Sequence, residues 1–307
     1  KGLTGIARGV NTLLPANEEI LTLRAAPNPD RNAYFGDLHV HTAYSFDAYV
    51  FGTVSSPDDA YRYAKGQALD HPSGYQVQLQ QPLDFYAVTD HAMLMGLVKE
   101  AADTSSEFSR YAVAEPLHDI NAPSNMNVLS LIARGQAFGT FIPGVLSGLL
   151  DGTIDAPMAE AVTKSAWLDT IRAANDAYLP GSFTTFAAFE YTSSSDDQGN
   201  LHRNVIFRDT GRLPAVPFSR FNSQNPEGLW QWMDGLRNQG IESLAIPHNS
   251  NGSNGQMFKL TNWAGNPIDD NYAKQRQRNE PLVEITQIKG TSDTHPLLSP
   301  NDEWADF

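Results

Sequence analysis

Residues 36–47 read GDLHVHTAYSFD, and the architecture of the whole chain can be worked out from this run. His39 and His41 are two positions apart. On a β-strand this spacing puts both imidazoles on one face, because strand side chains alternate. Two neutral imidazoles at a strand end supply half of a metal site. A single His-x-His pair is more often structural, so its meaning depends on the rest of the chain.

The same arrangement recurs along the chain, since apolar strand-like runs repeatedly meet a histidine or a carboxylate at one end. Asp90 and His91 follow residues 85–89, Glu190 ends residues 186–190, His202 precedes residues 204–207, and His248 follows residues 244–247. Of the adjacent pair Asp90 and His91, we expect His91 to enter the site, because neighbouring strand residues face opposite ways. A converging set of histidines and carboxylates without thiols suits Zn, Mn or Fe.

Strands are predicted at residues 34–40, 84–89, 184–191, 204–208, 243–247 and 282–288, with helical patterns between them. Short apolar strands separated by helices favour a parallel sheet or barrel, whose strand ends build the site. We expect an N-terminal arm at residues 1–32 and a barrel domain at 33–307. Within that domain, residues 92–183 are predicted to form an insertion that caps the site, or alternatively a surface excursion without a role.

Composition excludes several classes of protein. The length of 307 residues suits one α/β barrel with insertions. A net charge of −14 removes the electrostatic drive for nucleic-acid binding, so we expect no such partner. The chain has no cysteine, which excludes disulfides and thiolate chemistry. The apolar stretch 138–150 is short and interrupted by glycine and proline, so no membrane span is expected. No G-x-S-x-G elbow and no phosphate-binding P-loop occurs.

The order of HxHT, Asp, TDH, a strand-end Glu, His and PH resembles the PHP (polymerase and histidinol phosphatase) superfamily of metal-dependent phosphoesterases. More narrowly, residues 34–42 together with residues 45–47 resemble a bacterial PHP-like family of formerly unknown function. The resemblance implies a distorted (β/α)₇ barrel. The long insertion predicted at residues 92–183, between strands 2 and 3, departs from the compact members of the superfamily. The resemblance further implies two or three divalent ions (Zn, Mn or Fe) and a bacterial protein, periplasmic or secreted, with a cytoplasmic location as the alternative.

The resemblance also implies roles for individual residues. The implied metal ligands are His39, His41, Asp47, His91, Glu190, His202 and His248, with Glu190 bridging two ions and Asp47 and His91 on a third. Catalytic roles are implied for Glu190, Asp47 and His91, and Asp37 and Asp90 are candidates to orient the imidazoles. Arg203, Lys65 and Lys289 are candidates for binding the substrate, with solvated surface charges as the alternative reading. His71 and His118 lie outside the pattern and are expected to bind no metal.

The run GTSDTH at residues 290–295 looks like the motif that closes barrels of this superfamily, and it offers Asp293 and His295 as further ligands. It follows directly on the predicted strand 282–288, which resembles a penultimate strand. The alternative is therefore that the closing motif lies beyond Phe307 and that this chain is a barrel truncated at its C-terminus.

The expected function is a metal-dependent hydrolase that attacks a small-molecule phosphoester with a metal-activated hydroxide. One alternative is an amidohydrolase-like barrel or a sulfate-ester hydrolase on the same metal site. The position of Glu190 before His202 and His248, together with Asp47, favours the PHP resemblance. The other alternative is a non-catalytic PHP-like scaffold, which the large surviving ligand set disfavours. The sequence leaves the substrate and the oligomeric state open.

Overall fold

A computed structural model describes residues 10–15, 33–287 and 290–292. The β-strands of these residues are β1 Gly36–Val40, β2 Leu69–Asp70, β3 Gln76–Val77, β4 Phe85–Val88, β5 Thr184–Tyr191, β6 Arg203–Phe207, β7 Ser243–Pro247, β8 Thr286–Gln287 and β9 Gly290–Thr291. The α-helices are α1 Phe46–Val50, α2 Pro57–Ala64, α3 Leu97–Ala102, α4 Leu131–Asp151, α5 Ala156–Ala177, α6 Pro226–Arg237 and α7 Asp270–Asn279. Short 3₁₀ turns lie at Phe108–Arg110, Ala112–Leu117, Pro123–Asn125, Val128–Ser130 and Ser250–Gly252.

The main sheet has five strands in the order β1-β4-β5-β6-β7. Strands β1, β4 and β5 pair in parallel, whereas β6 runs antiparallel to both β5 and β7. The expected (β/α)₇ barrel is therefore wrong, because the sheet is mixed and curls into only half of a barrel. The reversal follows from the short connection at residues 192–202, which contains no helix. A parallel return needs a crossover of a dozen or more residues.

The predicted strand at residues 282–288 does not join the main sheet. Only Thr286–Gln287 is extended as a strand, and it pairs with β9 in a separate two-stranded sheet. Glu284 N donates to Pro247 O at 3.1 Å, so this segment runs beside the end of β7. Asp293, His295 and Lys289 lie outside the described residues, as does most of the predicted arm.

The two faces of the sheet carry different side chains, which alternate along each strand except at an irregularity in β1. One face packs under α2, α5 and α6, where Tyr86, Val88, Phe189 and Phe207 are buried among helix residues. The concave inner face carries a smaller apolar cluster. Its residues are Leu38, Ala87, Phe186, Ala188, Leu244, Ile206 and Ile246. Because side chains alternate along a strand, the residue two positions after the last inner-face residue also faces the concave side of the sheet.

Residues 92–183 connect β4 to β5, the second and third strands of the main sheet along the chain. Their last helix, α5, packs against α2 and the outer face of the sheet. Their central part, which includes α4, forms its own apolar cluster around Phe108, Leu117 and Phe141, and Phe46 of α1 joins it. Residues Val128–Asp151 are long and apolar enough to cross a membrane by length and composition. A single helix of this kind is weak evidence, so the expected absence of a span stays a prediction.

Asp234 on α6 holds α7 in place by accepting hydrogen bonds from Arg278 at 2.7 Å and from Gln275 at 2.9 Å. Burial opposes ionisation of Asp234, but these hydrogen bonds outweigh it and lower its pKa to about 2. A carboxyl whose pKa is lower in the folded state stabilises the fold above its unfolded pKa of about 4. This contribution is lost as the pH falls through about 2.

We predict that Asp234→Asn lowers the free energy of unfolding at pH 7 by about 1 kcal/mol, the upper range for a partly exposed ion pair. The difference between variant and wild type should shrink as the pH falls from 5 to about 2, and urea unfolding measures it. Glu115→Gln, which removes an exposed carboxylate without an ion pair among the described residues, is the control. A pH-independent difference would show that the charge of Asp234 is not what stabilises the α6–α7 contact.

Candidate metal centre

All five strands of the main sheet present their polar residues at one edge. β1, β4, β5 and β7 end at this edge, and β6 begins there because it runs in the opposite direction. This direction explains why His202 precedes its strand while the other site residues follow or end theirs. The alternation that buries Phe186 and Ala188 on the inner face brings Glu190 to the same face. His248 follows Leu244 and Ile246 in the same way.

A β-bulge in β1 aims the first histidine pair. The pairing of β1 with β4 shifts between Asp37 and Val40, where β1 has one residue more than its partner. Val40 packs on the outer face, so His39 and His41 both point inward. A bulge of this kind re-aims a side chain at the rim of a sheet.

The carboxylate of Glu190 is the centre of the cluster and has no exposed side-chain surface. Five imidazoles surround it. The nitrogen-to-oxygen distances are 3.4 Å for His39 Nε2, 3.0 Å for His41 Nε2, 3.2 Å for His91 Nδ1, 2.6 Å for His202 Nδ1 and 3.4 Å for His248 Nε2. Asp47, in the first turn of α1, lies beside this group with its Oδ2 3.3 Å from His91 Nε2.

Many of these buried atoms have no hydrogen-bond partner among the described residues. They are His41 Nε2, Glu190 Oε2, His202 Nδ1, Glu284 Oε1 and both ring nitrogens of His248. Buried polar atoms without partners are costly, so their convergence requires an explanation. Ligand atoms that share an ion at about 2.0–2.1 Å lie about 3–3.5 Å apart in a tetrahedral arrangement. The observed spacing and the imidazole–carboxylate chemistry fit a metal ion.

Four overlapping triplets could each hold an ion. They are His39–His248–Glu284, His39–His41–Glu190, His41–Asp47–His91 and His91–Glu190–His202. Sequence reasoning missed Glu284, whose Oε2 lies 2.7 Å from His39 Nδ1. The sequence signal for Glu284 is an acidic residue within the apolar run Leu282-Val283-Glu284-Ile285. The other site residues stand at the ends of their apolar runs, and Glu284 does not.

Neighbouring groups fix the orientation of three imidazoles. Glu284 holds Nδ1 of His39, Ser45 Oγ lies 2.6 Å from Nδ1 of His41, and Thr192 contacts Nδ1 of His91. A proton held on Nδ1 by Glu284 or Ser45 leaves the lone pair on Nε2, which faces Glu190. Ser45 Oγ also accepts from His91 N at 3.1 Å, so this one hydroxyl locates two of the histidines.

Asp90 does not belong to the cluster around Glu190, but it binds Thr42, the residue that follows His41. Its carboxylate is buried and accepts from Thr42 N and Thr42 Oγ1, both at 2.6 Å. Burial raises the pKa of Asp90 although these hydrogen bonds oppose it. Asp37 is exposed, and its carboxylate accepts from the backbone N–H of His39, so it contacts no imidazole.

The electrostatics of the cluster follow from one buried carboxylate among many imidazoles. Burial alone would raise the pKa of Glu190, but the surrounding histidines hold it well below its usual range. Burial likewise opposes protonation of His91, yet Glu190 and Asp47 raise its pKa to about 10. For His202, burial dominates and lowers the pKa to about 4. The site therefore attracts cations.

Two of the three candidate substrate-binding cations, Arg203 and Lys65, do not lie at this edge. Arg203 is buried and pairs with Glu280, on the side of β6 away from Glu190. Lys65 follows Ala64, whose carbonyl accepts from Leu83 N just before β4 begins. This places Lys65 at the opposite edge of the sheet. His71 stacks on Tyr75, and His118 lies 3.1 Å from Ser109 O, so neither is near Glu190.

We predict that Ser45→Ala weakens metal binding by about 10- to 100-fold, the usual effect of removing a group that orients a ligand. His41 would lose the partner of its Nδ1 while every ligand atom stays in the chain. Chelator competition with Zn²⁺ or Mn²⁺ measures the affinity. Ser105→Ala, in an exposed turn, is the matched control. An unchanged affinity would show that Ser45 does not orient the site.

Comparison with known proteins gives one match. Neither the curated proteins nor the solved structures contain a match to this chain. The resemblance to the PHP superfamily is not tested by these comparisons and stays a prediction. The profile of a family described as "Protein of unknown function (DUF3604)" matches residues 28–307, nearly the whole chain. The chain therefore belongs to the DUF3604 family.

Proposed function

We propose that this protein is a metal-dependent hydrolase of small-molecule phosphoesters. The observation that carries the proposal is the Glu190 carboxylate, fully buried and surrounded by five imidazoles, three of which carry ring nitrogens without a hydrogen-bond partner among the described residues. A buried charge is normally paired or coordinates a metal. A structural arrangement would satisfy these atoms with hydrogen bonds, and several of them have none.

Two or three ions of Zn, Mn or Fe suit the cluster best. Two of the four triplets share Glu190, which supports a bridging role for this carboxylate. The triplet of His41, Asp47 and His91 shares no carboxylate with the others and suits a further ion. Imidazole and carboxylate donors without thiolates favour these borderline metals.

Each residue of the cluster has a role in this proposal. Glu190 holds ions together, and its low pKa keeps it ionised at neutral pH. The pKa of Asp47 lies below its usual range because His91 outweighs the effect of burial, so Asp47 is a ligand and a poor proton acceptor. Its side chain is about one third exposed, more than the other ligands, so the substrate would approach from this side.

Bound ions would supply a water molecule acidic enough to ionise near pH 7 and would withdraw charge from the ester. This chemistry serves phosphate esters, sulfate esters and amides alike, so the choice of a phosphoester rests on the resemblance of the motifs. Amide or sulfate-ester hydrolysis at the same cluster is the second candidate. A scaffold without catalysis is the third.

We predict that Glu190→Gln removes most of the bound metal, because the neutral amide cannot bridge two cations. Elemental analysis of protein purified without chelator measures the metal content per chain. His71→Ala, a histidine outside the cluster, should keep the wild-type content. Normal metal content in the Glu190 variant would contradict the bridging role, and metal loss in the His71 variant would show that the ligand set is wrong.

We also predict metal-dependent hydrolysis of phosphomonoesters or phosphodiesters. Chelation should abolish it, and Asp47→Asn should lower kcat/KM by about 100-fold or more while His118→Gln leaves it unchanged. The assay compares phosphate esters, sulfate esters and amides on one preparation. Turnover of sulfate esters or amides alone would overturn the phosphoester assignment. Metal-loaded protein without any turnover would favour the scaffold.

A further inference from the structure

We propose that an apolar subsite beside the metal centre binds the aryl or alkyl group of the ester substrate. This inference rests on the proposed function and adds the substrate class. The subsite, called here the apolar cleft, is lined by residues 51–55, 71–73 and 126–128 together with Leu131 and Arg134 of α4.

The apolar cleft starts one helical turn from the metal ligands. Phe51 N donates to Asp47 O at 3.0 Å, so Phe51, the residue that ends α1, lies one turn after Asp47. Four residues of helix span about 6 Å, roughly the length of a phenyl ester. The other end of segment 51–55 also lies close to a ligand. Ser55 O accepts a hydrogen bond from Ala43 N at 2.8 Å, and Ala43 is two residues after His41.

The cleft has the size and lining of a small-molecule site. Its volume is about 460 Å³, within the range of ligand pockets. Four apolar side chains from two segments of the chain are exposed around it. The exposed fractions are 51% for Phe51, 44% for Val54, 75% for Val128 and 51% for Leu131. Exposed apolar side chains that converge on one cavity indicate a binding surface.

The guanidinium in the wall is held by hydrogen bonds within the protein. Arg134 of α4 is buried, and its guanidinium donates to Ile120 O at 2.7 Å and to Asn121 Oδ1 at 2.8 Å, and also to Val50 O at the end of α1. These hydrogen bonds clamp α4 onto the helix that carries Asp47. Because they use its donors on the protein itself, Arg134 is not an anion receptor.

Aromatic contacts connect the cleft wall to a ligand through the core. Phe46, which is buried, stacks on the ring of His91 at 4.4 Å, and Phe138 lies 6.0 Å from Phe46 and 5.9 Å from Phe51. The cleft wall and the metal cluster therefore pack against the same aromatic side chains. In the described part of the chain, no lysine or arginine pairs with Glu190, Asp47 or Glu284. Ions would bind the reacting group, and the rest of the substrate would meet apolar surface.

The test is calorimetric binding of phenylphosphonate and methylphosphonate to the metal-loaded protein. Both carry the same anionic group, so they differ only in the part that the cleft would bind. We expect phenylphosphonate to bind about tenfold more tightly or better, since a phenyl group buries far more apolar area than a methyl group. The ratio should fall towards one in Leu131→Ser and in Phe51→Ala.

The control is Leu150→Ser, which replaces an equally exposed leucine at the other end of α4. It should keep the wild-type ratio, and all three variants should keep the wild-type metal content. Equal affinity of the two phosphonates in metal-loaded wild type would overturn the apolar subsite and leave the metal site standing. Protein that binds no metal would overturn the proposed function, and this inference with it.

Discussion

A single buried carboxylate constrains the rest of the site. Glu190 has no contact with solvent, so its charge must be offset by neighbours within a few ångströms. No lysine or arginine does this in the described residues, and five imidazoles take that place. The five imidazoles come from four segments of the chain, since His39 and His41 share the end of β1. The strands must therefore end at one edge, and this requirement sets their order and direction.

The two-residue period of β-structure connects the core of the half-barrel to the site. Phe186 and Ala188 fill the inner face, and the next position on that face is Glu190. The same period carries β7 from Ile246 to His248. In β1 the period alone would not suffice, because Val40 packs on the outer face while Leu38 and His39 are both needed inside. The bulge resolves this conflict by adding one residue to β1.

Much of this site could be predicted from the sequence, because a histidine or carboxylate next to an apolar run can be recognised without knowing the fold. His39, His41, His91, Glu190, His202 and His248 all flank apolar runs, and the structure brings all of them together. The barrel could not be predicted correctly, since strand direction depends on long-range pairing. The position of His202 before its strand indicates that β6 runs in the opposite direction. An all-parallel sheet is not compatible with the short connection at residues 192–202.

Side chains recruited by tertiary packing were beyond sequence reasoning. Glu284 reaches His39 from a segment that runs beside β7 without belonging to the main sheet, so no strand period identifies it. Arg203 is a candidate for binding the substrate by its charge, but it is adjacent to His202 on the strand and therefore faces the opposite way. The same alternation separates Asp90 from His91. Asp90 binds Thr42 outside the cluster, whereas His91 lies beside Glu190.

The insertion contacts the helix that carries Asp47, but its side chains are less constrained in position than the metal ligands are. The ligands stand on strand ends whose positions are fixed by a shared sheet, so a change in one strand displaces the others. The wall of the apolar cleft stands on α4 and its leading segment, which contact α1 through Arg134 and Phe138. Side chains such as Val128 and Leu131 project outward from this clamp, so they can change without moving a ligand atom. Hence a single metal chemistry could serve different substrates, since the groups that would select the substrate are separate from those that would bind the ions.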